Sequence, residues 1–210
     1  MGTSLLSAFM VIIYAFTYVS SVESEPVFDA KGFEVVPQSS YYILPGRNGK
    51  GGGLQFEDDS KPFNNNTCSS SRRVIQLPQP NSNYFGFPIN ISPVRDHKYI
   101  HVSSDINIIF NFAAVDFPSF CSSSSVWRVS SLDKNTKQYF VETGGHVGLA
   151  DLNSVFKIKK LGKDYVLRFC PSCPNCKVIC RNIGIYNYNG VRRLALSDVP
   201  FPLKFDNNPF

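Results

Sequence analysis

Four cysteines crowd one short stretch, Cys170, Cys173, Cys176 and Cys180, in the pattern C-x2-C-x2-C-x3-C. Thiolates at that spacing can ligate an iron–sulfur cluster, and four close thiolates can also hold zinc. The same side chains can instead oxidise to disulfides, as they do in secreted chains. The proline that follows the fourth cysteine of the iron–sulfur run is absent here, because Arg181 stands in its place. We therefore expect disulfides and no metal. Cys68 and Cys121 complete the six cysteines. Spacing alone does not choose among the pairings that six thiols allow.

Little else has the makings of an active site. His97, His101 and His146 read as isolated histidines, with no acid at metal-ligand spacing. Asp58 and Asp59 read as a solvated loop pair. No G-x-S-x-G, H-E-x-x-H or phosphate-binding loop occurs. The expectation is a protein that is not an enzyme, with no catalytic residue and no cofactor.

The elements that position these groups begin after a leader. Leu5 to Val19 is an apolar run of signal-peptide length, followed by the small residues Ser20, Ser21 and Ser24. We read residues 1–24 as a signal peptide and 25–210 as one domain. Removing the leader takes away Glu23 and no base, leaving 21 Lys and Arg against 15 Asp and Glu. The bases are scattered and lack interleaved aromatics, so nucleic acid is not an expected partner. No second apolar run is long enough to span a membrane, so no membrane partner is expected either. Asn65 and Asn90 each open a glycosylation sequon, which fits a secreted chain.

Short runs rich in Val, Ile, Tyr and Phe alternate with turn residues, and helical periodicity is nearly absent. The predicted strands are 41–44, 73–77, 89–91, 106–112, 126–129, 138–141, 154–158, 165–169, 183–186, 191–196 and 202–205. Asn189-Gly190 predicts a two-residue hairpin turn, and Gly162-Lys163 another. Trp127 reads as core. Such a pattern predicts an all-β barrel or sandwich without choosing between them.

Val27-Phe28-Asp29-Ala30-Lys31-Gly32, then Val35, then Tyr41-Tyr42-Ile43-Leu44, resembles the N-terminal signature of the Kunitz soybean trypsin inhibitor family. The resemblance runs over the whole mature chain. It implies a disulfide-braced β-trefoil: three pseudo-repeats, a six-stranded barrel and a hairpin cap. It implies pairings Cys68–Cys121 and Cys170–Cys180, the latter enclosing Cys173–Cys176. It implies a monomeric protease inhibitor, secreted or vacuolar.

The same resemblance points to a reactive loop. Gly86 to Pro93 matches the family's G-x-x-I-x-S-P segment, and the loop that follows is Pro93, Val94, Arg95, Asp96, His97 and Lys98. Matching by position puts Arg95 at P1, the side chain that enters a protease's specificity pocket. An arginine there suits the acidic pocket of a trypsin-like serine protease. Lys98 is the rival P1, because the stretch from Pro93 to Phe110 runs one residue long. Two positions depart from the family pattern: Pro37 replaces a loop-bracing Asn, and Asp96 stands at P1′, where small or apolar residues are commoner. Two alternatives accompany this reading. One is a non-inhibitory binding or storage protein of the same fold, including pigment carriers, although Ser122 follows Cys121 where those carry a Cys-Pro pair. The other is inhibition of a cysteine or aspartic protease through another loop, such as 170–180.

Overall fold

The computed structural model describes residues 24–57, 71–78, 85–115, 125–173, 175 and 177–208. The leader up to residue 23, Asn65, Cys68, Cys121 and Cys176 lie outside the described residues.

Six strands close into a ring: β1 (Ser40–Pro45), β4 (Ile89–Pro93), β5 (Ile106–Phe110), β8 (Phe156–Leu161), β9 (Asp164–Phe169) and β12 (Leu203–Asp206). Each pairs antiparallel with the next, and β12 pairs with both β1 and β9. Leu203 opposite Tyr165 is the pair that shuts the ring. Three hairpins cap it: β2 (Leu54–Phe56) with β3 (Val74–Gln76), β6 (Arg128–Val129) with β7 (Val141–Glu142), and β10 (Arg181–Tyr188) with β11 (Val191–Ser197). Strands one to four, five to eight and nine to twelve thus repeat one plan, and the fold is a β-trefoil. A closed ring leaves no open barrel edge for other chains to pair with.

Alternation builds the core. Ile89 and Ile91 of β4, Phe156 and Ile158 of β8, and Leu203 and Phe205 of β12 point inward and are buried. Burying each such side chain contributes about 1.5–3 kcal/mol. Trp127 is fully buried against Phe110, with ring centroids 5.1 Å apart. β5 breaks the alternation at Asn107, a buried polar residue on the barrel's outer face. Asn107 is satisfied there: its Nδ2 donates to Ser154 O and its Oδ1 accepts from Gly148 N, both at 2.8 Å.

The predicted strands overlap observed ones, 138–141 by Val141 alone, with corrections at their ends. β2 was missing from the sequence reading. Its neighbour Gly86 explains how it fits: a Cβ there would lie 2.1 Å from Leu54 O, and φ is +81°, so only glycine allows the approach. Ser154 belongs to a 3₁₀ turn, Leu152–Ser154, rather than to a strand. Asp151 caps that turn, accepting from Asn153 N. β5 ends at Phe110, and Phe112 enters another 3₁₀ turn. The hairpin at Asn189-Gly190 is present, with φ of 51° and 81° at the two residues as a type I′ turn requires.

No helix among the described residues is long and apolar enough to cross a membrane.

Candidate functional site

β4 ends at Pro93, and the chain turns out of the barrel before β5 begins at Ile106. Residues 95–98 of this connection are all exposed. Both ends of the excursion are fixed by backbone hydrogen bonds. Val94 donates to Asp105 O at 2.9 Å. Ile100, fully buried, donates to Val35 O at 2.8 Å and accepts from Val27 N at 2.7 Å. The Val27–Val35 segment is therefore one clamp of the loop. Asp29 shapes it by accepting from Lys31 N and Phe33 N at 2.9 Å each.

Arg95 projects from the loop and makes no hydrogen bond or ion pair among the described residues. Lys98 is engaged: its Nζ lies 4.8 Å from the Tyr99 ring centroid. A hydrogen bond to the Tyr99 side chain, followed by the charge of that group, holds the Lys98 ammonium above the usual lysine range. Asp96 is exposed. His97 and His101 are not isolated as the sequence suggested; their rings meet edge to face at 5.4 Å. No third His, Cys, Asp or Glu joins them to make a metal site among the described residues.

On one flank the loop borders an open depression of about 350 Å³ lined by Pro37, Gln38, Ser92, Pro93 and the 96–98 side chains. Pro37 carries no polar side chain and no backbone N–H to reach across it. On the other flank lies a cleft of about 220 Å³ shared by Arg95, His97, Asp105, Lys157 and Ser172. In that cleft Lys157 Nζ donates to Asp105 Oδ1 at 2.5 Å, to Ser172 Oγ at 3.0 Å and to Ser103 O at 3.2 Å. Neither partner of the ion pair was visible in the sequence, because 52 residues separate them.

Asn90 lies on β4, half-buried. Its Nδ2 donates to Gln38 O at 3.2 Å, and its Oδ1 accepts from Ser40 Oγ at 3.4 Å. Cys170 and Cys180 form a disulfide at the base of the connection between β9 and β10. Cys173 is also disulfide-bonded, and its expected partner Cys176 lies outside the described residues. This second loop exposes Ser172, Lys177 and Ile179.

A family model described as Kunitz legume, trypsin and protease inhibitor, matches residues 27–207. Kunitz trypsin inhibitor 5 of Arabidopsis thaliana is 40% identical over 185 residues, covering 86% of this chain and 85% of its own length. Miraculin of Synsepalum dulcificum is 38% identical over 195 residues, covering 88% and 84%. Among solved structures, a Kunitz-type cysteine protease inhibitor from potato superposes with a TM-score of 0.68 at 27% identity, covering 87% of this chain and 96% of its own.

Proposed function

The chain belongs to the Kunitz legume family of trypsin and protease inhibitors, and from that premise we propose that it blocks a trypsin-like serine protease through Arg95. It is an inhibitor-family protein and not an enzyme. The observation that carries the proposal is the contrast within one loop: Arg95 is exposed and, among the described residues, uncommitted, while Val94 before it and Ile100 beyond it are hydrogen-bonded to the body. A guanidinium presented this way can enter an acidic specificity pocket and pair with its carboxylate. A loop already held in place loses little conformational entropy on binding. With both ends anchored, the protease cuts the bond after Arg95 only slowly, and the complex persists. Lys98, turned onto Tyr99, is the less available base.

The test is a titration of the mature protein against trypsin, wild type beside Arg95→Ala. The substitution is expected to cost about 2 kcal/mol or more of binding, as removal of an interface anchor does. Equal and negligible inhibition by both proteins would end this reading.

A second reading has an observation of its own. The disulfide-closed 170–180 loop also exposes a base, Lys177, and the potato structure named above is that of a cysteine protease inhibitor. Inhibition of a papain-like enzyme that survives Arg95→Ala would select it. Both readings place the chain in the secretory pathway, where disulfides form. N-terminal sequencing of the protein from its native tissue tests the leader assignment, which expects Glu25 as the first residue.

A further inference from the structure

We infer that the Asp105–Lys157 ion pair is the internal brace that positions the 93–98 loop. The chain of contacts is short. Val94, which precedes Arg95, is held by its N–H to Asp105 O at 2.9 Å. Asp105 is held in turn by its carboxylate, which accepts from Lys157 Nζ at 2.5 Å and more weakly from Ser172 N at 3.4 Å. The Lys157 ammonium has three N–H donors, and three acceptors meet them: Asp105 Oδ1, Ser103 O and Ser172 Oγ. Its stem rises from β8, so the barrel wall carries the brace.

The pair is sheltered, with Lys157 14% and Asp105 15% exposed. It is therefore less screened than a surface ion pair, and losing one partner strands the other. Ser103 supplies a further sign that this segment is held rather than relaxed. Its φ is 70°, a left-handed conformation that costs a serine energy. Hydrogen bonds from β8 maintain it: Ser103 N donates to Ile158 O at 2.8 Å, and Lys159 Nζ donates to Ser103 Oγ at 2.7 Å. On the opposite flank Pro37, with no polar side chain and no backbone N–H, lines an open depression. Lys157 and Asp105 thus act as positioning residues, and they touch the partner only through the loop they hold.

The test uses the full mature chain as wild type, Lys157→Met, Lys157→Arg and Asp105→Asn. Amide hydrogen exchange is read at Val94 and, as reference, at Ile91 and Ile108 in the barrel. Lys157→Met and Asp105→Asn are expected to speed exchange at Val94 by about tenfold or more, equal to about 1.4 kcal/mol of local stability, with the barrel amides unchanged. Lys157→Arg keeps the charge and is expected to recover most of the protection. Wild-type exchange at Val94 in the folded variants, or an equal rise at all three amides, overturns the inference. Should Lys157→Met fail to fold, Asp105→Asn decides by the same criteria. A second readout rests on the proposed inhibition of trypsin: the bond after Arg95 is expected to be cut faster in Lys157→Met. With Val94 loosened, an unchanged cutting rate overturns the positioning role. A wild-type chain that leaves trypsin untouched defeats the functional reading instead, and the exchange measurement still decides the brace.

Discussion

Ile100 donates its backbone N–H to Val35 O at 2.8 Å, so the segment at the head of the domain holds the far end of a loop that leaves the barrel after residue 93. The Val27–Val35 segment is thus a structural part of the candidate site, and the charge of its Glu34 acts on Lys98 of the loop.

Asp29 is the residue that gives this segment its shape. Asp29→Ala removes acceptors from the N–H groups of Lys31 and Phe33. Hydrogen bonds to a charged group contribute about 1.5–3 kcal/mol, and water at the exposed Lys31 and Phe33 recovers part of that. We expect a urea midpoint shifted down accordingly, with faster amide exchange at Ile100. An unchanged midpoint would show that the turn holds without its side chain.

The disulfide between Cys170 and Cys180 closes a loop with a sequence separation of 10. In the chain-entropy account such a loop contributes about 3 kcal/mol. Replacing both cysteines with serine is expected to lower stability by about that amount in equilibrium unfolding. The barrel strands should keep their amide protection under native conditions, because the loop lies outside the ring.

Acid should weaken the fold partly through Asp133. Its carboxylate accepts from Thr136 N at 2.9 Å, from Asn135 N at 3.0 Å and from Thr136 Oγ1 at 3.0 Å, and pairs with Arg73 at 3.0 Å. Hydrogen bonding from Thr136, more than the charge of Arg73, holds this carboxyl below the usual aspartate range. A depressed folded-state value means the stabilisation is present above the unfolded value of about 3.9 and is lost as pH falls through the lower folded value. Asp133→Asn keeps an acceptor oxygen but cannot titrate. Its stability should therefore fall less steeply than wild type between about pH 5 and about pH 2. Parallel urea-midpoint curves for the two proteins would remove Asp133 from the acid response.

Much of the barrel was legible because Ile89, Ile91, Phe156, Ile158 and Phe205 are strong strand formers set at period two. Leu54–Phe56 was not, since three residues beside a glycine run carry no periodicity. Its existence depends on Gly86, which is distant in sequence. Ser154 was misassigned because Asp151 and Asn153 offer a local capped turn that competes with the strand. For the candidate site, the residues of the 93–98 loop could be named in advance by resemblance. The groups that hold it could not. Asp105, Lys157 and Ser172 come together only through the pairing of β5 with β8 and the turn after β9, and no local pattern announces that meeting. The contact between His97 and His101 is of the same kind, made by the loop's path and not by any ligand spacing.

The pairing of β12 with β1, Phe205 opposite Ile43, has a kinetic corollary. The last strand sits between the first and the ninth, so the circle stays open during synthesis until residues 203–206 have left the ribosome. Contacts that span nearly the whole polypeptide must form late, and they set a slow pace for maturation.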